Sequence, residues 1–521
     1  MHLGRALSWA AERFPERTAI GGPDPLTYRQ WDARTSRYAR ALADAGALPA
    51  DRVVFLLANG EPLASLHMAA QKLGVVSTPL NTRYGAGEVA YCVADAEPAV
   101  VVTDRSTAGF LEPIRESLSG SRKPAPAFLH VDDEVPPGST AFEALAAVQP
   151  DGPLRLSAGP EDPSVMLYTS GTTGRPKGVP RTQHNEWSAA LAHAVQCRYD
   201  LAGETTLGAM PLFHTMGIRS LLSMLVVGGC WTPVPTLEPA LVAETLRGEG
   251  VSCLYLVPTA FFALLHAGAL DGAPGVRKLA YAGAPMAPSL CEQLSAALDP
   301  DVFVNHFGST EIYTYTVSHR QRDKPGCAGR PGMFSRIRLV SADPEGRAGP
   351  GDVVAAGERG EVVAHLDSDE AFAGYWRRPD ADERALRDGW YFTGDLGHLD
   401  GDGDLWVVGR VDDMVITGGE NVHPIEVEDA LARCPDVADA AVAGLPDEKW
   451  GQAVTAFVVP AGEAGLDAGR DAGGAAARIE AWLRDASGLA GYKRPKRVVL
   501  VSEIPKSPVG KILRRKLVAG E

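Results

Sequence analysis

The sequence predicts an α/β protein, with a large N-terminal domain of mainly parallel sheets covered by helices, a β-rich subdomain, and a small C-terminal α+β domain. Three observations lead there. Over the first three quarters of the 521 residues, short β-branched runs alternate with amphipathic helical patterns, and strand–helix alternation implies parallel sheets. From about 327 to 408 the chain becomes Gly-rich, with short strands and few helical stretches. After Arg410 a new strand–turn–helix pattern begins. A chain of this length exceeds what one core supports, so two or more domains are expected: 1–410, containing the β-rich subdomain, and 411–521.

The N-terminal "MHLGRALSWAAERFPERTAI" interrupts its apolar residues with Arg and Glu at helical spacing, which predicts an amphipathic helix and not a secretion signal. The strands that follow are "RVVFLLA", "VVSTPL", "AVVVTD", "SVMLYTS", "TTLGAMPL", "VSCLYLVP", "KLAYAGA" and "DVFVNHFG", with Ala-rich helices such as 61–73 and 286–298 between them. In sheets of this kind ligands bind beyond the carboxyl ends of the strands. "RIRLV", "GEVVAH" and "DLWVVGR" are the short strands of the β-rich stretch. The last domain reads "MVITGGENVHPIEVEDALARC", a strand, a Gly turn and a helix with Pro424 in its first turn, where a missing N–H costs little. It continues with strands "VADAAVAG" and "AVTAFVVP", a flexible Gly/Ala-rich loop over 461–477, a helix over roughly 475–486, and strand "RVVLVSEI". "RVDD" at 410–413 is the expected hinge.

Composition narrows the partners. A formal charge of −15 argues against a general nucleic-acid or membrane-surface binder, since such proteins carry a basic excess to meet phosphates. No stretch reaches the ~18 uninterrupted apolar residues of a membrane span. Seven scattered cysteines without CxxC spacing read as reduced thiols, and the expected location is cytoplasmic.

The chemistry-bearing stretches stand at strand ends. "TSGTTGRPKG" at 169–178 follows a buried strand and precedes a helix expected to be capped by Asn185. Glycines let backbone N–H groups approach phosphate oxygens, hydroxyls donate to them, and Lys177 adds charge. The Walker A pattern is not met, because Lys177 is followed by Gly178. "NHFGSTE" ends a strand in Ser309, Thr310 and Glu311, which suits a phosphate hydrogen bond and a carboxylate on Mg²⁺. "YFTGDLG" places Asp395 on a Gly turn and "LWVVGRVDD" places Arg410 after a strand, a pair that could grip ribose hydroxyls. "PKSPVGKILRR" presents Lys511 on a Gly-preceded turn.

With these motifs in order, the chain resembles the adenylate-forming superfamily of acyl-CoA synthetases over nearly its whole length. It is most similar to the 4-chlorobenzoate–CoA ligase type through "YAGAPM", "SDEAFAGY", "GRVDDMVITGGENVHP", "KWGQAVTAFVVP" and "YKRPKR". The resemblance implies two half-reactions: a carboxylate attacks the α-phosphate of Mg·ATP to give an acyl-adenylate and pyrophosphate, and a thiol then displaces AMP. It implies that Thr169, Ser170, Gly171, Thr172, Thr173, Gly174 and Lys177 hold the β- and γ-phosphates, that Thr310 contacts the α-phosphate, and that Glu311 binds Mg²⁺. Gly283, Ala284, Pro285 and Phe307 would enclose adenine, and Asp395 and Arg410 the ribose. Lys511 would carry the first chemical step, and the small domain would be mobile about Asp412, bringing Gly418 and Gly419 to the thiol channel.

The resemblance further places Arg83, Trp450, Tyr492, Arg494 and Lys496 on CoA, with a carrier-protein thiol as the alternative acceptor. The acyl pocket would be formed by His214, Tyr281, Gly283, Asn305, His306, Tyr313 and Thr314, and small residues beside aromatics favour a cyclic or aromatic acid. The expected ligands are therefore ATP, Mg²⁺, CoA and a small carboxylic acid; a homodimer stays open.

Overall fold

The computed structural model describes residues 1–520 except 120–123, 157, 171–174, 274, 344–347, 412, 419, 423, 462–471 and 507–511. The chain divides into two compact units, Met1–Arg336 with Ala364–Gly389, and Ile337–Val363 with Trp390–Glu521. The segments 337–363 and 390–410, expected within the large domain, thus group with the C-terminal residues. Val340, Val363, Trp390 and Phe392 give those strands a small core of their own.

The first unit contains two large sheets. One has seven strands, in spatial order Thr140–Ala141, Ala127–His130, Val100–Thr103, Arg52–Leu56, Val76–Pro79, Pro163–Ser170 and Pro176–Thr182, all parallel except the last pair. The other has nine and is parallel from Val302–Phe307 through Lys278–Tyr281, Cys253–Leu256, Thr205–Gly208 and Cys230–Pro233 to Thr18–Ile20. The expected parallel architecture is present.

Strand alternation explains the layers. Val53 and Phe55 point into a core shared with helices Leu3–Arg13, Tyr28–Asp44, Glu61–Leu73 and Thr215–Val227. Their neighbours Val54 and Leu56 point the other way, onto helix Ala86–Ala96. Successive strand residues face opposite sides of a sheet, so a strand buried on both faces must be apolar throughout.

Two local expectations are corrected. The phosphate-type loop does not lead straight into a helix: "PKGVPRT" is a strand that pairs antiparallel with Pro163–Ser170. Its two prolines are tolerated because it is the edge of the sheet, where a missing N–H breaks no ladder. Helix Gln183–Gln196 is capped by Thr182, not Asn185; Asn185 is the other half of a capping box, its N–H donating to Thr182 Oγ1 at 3.1 Å and its Oδ1 accepting from the Thr182 N–H at 3.0 Å.

In the second unit, strands Trp390–Leu399 and Leu405–Arg410 pair antiparallel. A second sheet contains Val415–Thr417, Glu420–Val422, Val437–Asp447, Gly451–Pro460 and Arg497–Leu500. Helix Pro424–Leu431 packs on it, as does Ala472–Asp485, which begins inside the stretch expected to be loop. Among the described residues no helix is long and apolar enough to cross a membrane.

Candidate active site

The strand ends of the first unit carry the expected nucleotide residues. Thr169 and Lys177 are cross-strand partners, so the loop between them joins two antiparallel strands. Gly171, Thr172, Thr173 and Gly174 lie outside the described residues. Lys177 is half-buried with its Nζ 4.0 Å from the centre of the Tyr375 ring. Burial lowers its pKa, and the Glu311 carboxylate opposes that shift.

Strand Val302–Phe307 runs into "GSTE". Here Ser309 closes the turn: its Oγ accepts from the N–H groups of Glu311 at 3.1 Å and Ile312 at 3.4 Å, and from the Tyr315 hydroxyl at 2.6 Å. That work leaves Thr310 half-buried at the tip and Glu311 buried beside it. Glu311 Oε1 accepts from the Tyr375 hydroxyl at 2.6 Å, and Oε2 has no donor among the described residues. A carboxylate with one oxygen anchored and one open is the hard oxygen donor that Mg²⁺ prefers, so Glu311 fits this ion. Beyond strand Lys278–Tyr281, Gly283 and Pro285 are exposed and Ala284 half-buried; Phe307 is half-buried with its ring edge-on to Tyr315 at 5.2 Å.

His214 caps helix Thr215–Val227, its Nδ1 accepting from the Met216 N–H at 3.3 Å. Burial lowers its pKa to about 4, so the ring is neutral near pH 7. Of the other residues expected at the acyl pocket, Gly283 is exposed, and Tyr281, Asn305, His306, Tyr313 and Thr314 are buried among polar partners. Tyr281 donates to Gln321 at 2.8 Å, Asn305 to the Cys327 carbonyl at 3.0 Å, and Tyr313 to Glu186 at 3.2 Å, while Thr314 accepts from Arg219 at 2.7 Å. His306 Nε2 lies 3.4 Å from Cys197 Sγ, near His193. Cys197 Sγ is 3.9 and 3.7 Å from the two His193 nitrogens, so His193, Cys197 and His306 form one buried cluster.

Two residues that sequence reasoning passed over organise this region. Arg181 is fully buried, pairs with Glu186 at 2.5 Å, and donates to the carbonyls of Thr310 and Glu311 at 3.3 Å and Glu370 at 2.8 Å. Tyr375 touches both Lys177 and Glu311. The available signals were a basic residue inside a buried strand and the terminal Tyr of "SDEAFAGY".

In the second unit, Asp395 and Arg410 are cross-strand partners joined by a 2.7 Å ion pair. Trp450, Tyr492 and Lys496 line a cavity of about 290 Å³ with Thr417 and Gly491. Lys496 Nζ stands 5.4 Å from the Trp450 ring centre, and the Gly418 N–H donates to the Trp450 carbonyl at 2.8 Å. Arg494 turns to the Leu489 carbonyl at 3.0 Å, and Arg83 is exposed in the first unit. Asp412, Gly419 and Lys511 lie outside the described residues.

Strand-end hydroxyls, a lysine and a carboxylate suit an adenylate-forming enzyme, and comparison with known proteins shows that family. Residues 7–376 match the family described as AMP-binding enzyme and residues 426–511 the AMP-binding enzyme C-terminal domain, so the chain belongs to this family. It is an ATP-dependent acid–thiol ligase, with ATP, Mg²⁺ and CoA as its cofactors. It is 34% identical to a feruloyl-CoA synthase of an Amycolatopsis species over 97% of both chains. It is 32% identical to a 4-chlorobenzoate–CoA ligase of an Arthrobacter species, covering 98% of this chain and 94% of the relative. The crystal structure of ATP-bound MatB from Rhodopseudomonas palustris superimposes with a TM-score of 0.86 at 27% identity, covering 100% of this chain and 99% of that one.

Proposed function

We propose that this ligase activates a cyclic or aromatic carboxylic acid and transfers it to CoA. The observation that carries the reading is likeness along the whole chain to a feruloyl-CoA synthase and a 4-chlorobenzoate–CoA ligase, both named for ring-bearing acids. The cavity lined by Trp450, Tyr492 and Lys496 supports CoA over a carrier protein, since aromatic faces beside an ammonium suit a nucleotide-bearing thiol.

In the first half-reaction two anions must meet, so preorganised donors and positive charge offset their repulsion. Thr169, Ser170, Lys177 and the loop 171–174 hold the β- and γ-phosphates, and Thr310 donates to the α-phosphate. Glu311 would hold Mg²⁺, which would neutralise charge on the phosphates. Gly283, Ala284, Pro285 and Phe307 enclose adenine, while Asp395 and Arg410 take the ribose. Lys511 bridges the acid carboxylate and the α-phosphate as charge moves toward pyrophosphate. His214, Tyr281, Gly283, Asn305, His306, Tyr313 and Thr314 form the acid site. For the second half-reaction the C-terminal domain turns about Asp412, and Gly418 and Gly419 face the thiol, with Arg83, Trp450, Tyr492, Arg494 and Lys496 holding CoA.

The test is acid-dependent AMP formation across a panel of benzoates, cinnamates and straight-chain acids, with CoA or a pantetheinylated carrier as acceptor. Ring acids with CoA should give the highest kcat/KM; preference for a straight-chain acid or for the carrier refutes the reading. Lys511→Ala should abolish pyrophosphate release and spare thioester formation from supplied acyl-adenylate. Equal loss of both steps removes Lys511 from its role.

A further inference from the structure

We propose that Tyr375 is a positioning residue that holds Lys177 and Glu311 apart, so that one charge stays free for phosphate and the other for the cation. The inference rests on the reading of Glu311 as the carboxylate that takes Mg²⁺. The hydroxyl of Tyr375 donates to Glu311 Oε1 at 2.6 Å, and its ring face lies under Lys177 Nζ at 4.0 Å. An ammonium is drawn to the negative face of an aromatic ring, and a phenol hydroxyl is a strong donor to a carboxylate, so one side chain satisfies both partners by different means. Without a spacer, a half-buried lysine and a buried glutamate this close to one ring would pair directly, each using up the charge the ligand needs. Among the described residues no ion pair joins Lys177 to Glu311.

Tyr375 is itself held from several sides. The Phe372 N–H donates to the Glu311 carbonyl at 2.9 Å, and the Phe372 ring meets Tyr375 edge-on at 5.0 Å. The Tyr375 N–H donates to Asp382 at 2.8 Å. Next along the chain, the Trp376 N–H donates to the Gly178 carbonyl at 2.9 Å and its indole N–H to the Asp95 carbonyl at 3.0 Å. This strap therefore lies against the strand that bears Lys177. Gly178 permits the approach: a Cβ there would stand 3.1 Å from Trp376 Cβ and 3.0 Å from Met166 Sδ. The glycine that breaks the Walker pattern in the sequence is the one that lets Tyr375 sit beneath the neighbouring lysine.

The test measures Mn²⁺ binding to the full-length protein by electron paramagnetic resonance in the presence of α,β-methylene-ATP, alongside the Mg²⁺ dependence of pyrophosphate release. Tyr375→Phe keeps the ring and removes the hydroxyl. It should weaken Mn²⁺ binding about tenfold, the scale of one hydrogen bond to a charged group, with the acid KM unchanged. Tyr375→Leu removes the ring as well, lets Lys177 reach Glu311, and should weaken Mn²⁺ binding further and raise the ATP KM. In a Glu311→Gln background, Tyr375→Phe should add nothing. If Tyr375→Phe binds Mn²⁺ normally while Glu311→Gln does not, the positioning role is overturned. A Tyr375→Phe defect that persists in Glu311→Gln overturns it too, because the hydroxyl would then act through the fold. If Glu311→Gln itself binds Mn²⁺ normally, it is the assignment of Glu311 that fails.

Discussion

Replacing Gly418 by Ala puts a single methyl group against the wall of the proposed CoA cavity. Gly418 has φ +60°, and a Cβ there would stand 2.9 Å from Cε3 and 3.2 Å from Cζ3 of Trp450. A left-handed backbone costs an alanine about 1 kcal/mol. The contact is closer than van der Waals separation by roughly 0.6 Å, so something must move. The Gly418 N–H is tied to the Trp450 carbonyl at 2.8 Å, which leaves the indole as the part that yields. Trp450 forms one wall of a cavity of about 290 Å³, and tilting it changes the surface offered to CoA. Gly418→Ala should therefore raise the CoA KM about tenfold or more, equivalent to ~1.4 kcal/mol of binding. Acid-dependent pyrophosphate release should stay within about twofold, because the adenylation residues are untouched. The assay follows both half-reactions separately, with thioester formation from preformed acyl-adenylate titrated against CoA. In a Trp450→Leu background the clash has no partner, and only the backbone cost should remain. An unchanged CoA KM, or a parallel fall in pyrophosphate release, refutes this argument.

Two further outcomes follow from buried groups. Arg181→Met leaves Glu186 as an uncompensated buried carboxylate and should destabilise the first unit by about 3–5 kcal/mol in urea unfolding followed by tryptophan fluorescence, with much of the loss recovered by adding Glu186→Gln. Burial lowers the pKa of His67 to about 4 and holds His193 and His306 well below the usual histidine value, so in the folded state they stay neutral where the unfolded chain takes up protons. Stability should be fully present above about pH 6.5 and decline as pH falls from there toward 4; His67→Gln should flatten the decline by about 3 kcal/mol, measured as urea midpoints across that range.

How much of the site was legible depended on whether a residue's role is set by its neighbours in the chain. Thr310 and Glu311 could be named because they follow an apolar strand at the carboxyl edge of a parallel sheet, and Thr169 and Lys177 because they flank a Gly- and Thr-rich stretch. Trp450, Tyr492 and Lys496 stood out as aromatic and basic residues, and the structure brings them to one cavity. The strand Pro176–Thr182 was not legible, since two prolines in seven residues argue against a strand until its place at a sheet edge is known. Asn185 has the chemistry of a helix cap, and only the hydrogen bonds show that Thr182 begins the helix. Arg181 and Tyr375 gave little local signal because the partners that tie them to the site lie far away in sequence: Arg181, beyond its near pair with Glu186, reaches Glu311 and Glu370, and Tyr375 reaches back to Lys177.

By itself the sequence determined the alternation of strands and helices, and with it the polar side chains at the strand ends, because period-two and period-3.6 apolar patterns act over a few residues. Tertiary structure alone decided which of those side chains are occupied and which are left open. Ser309 is consumed by its own turn, and among the described residues Glu311 has one oxygen held by a tyrosine from residue 375 and the other without a donor. Hydrogen bonds and ring contacts act over a few ångströms, so such choices depend on chain segments that only folding brings together.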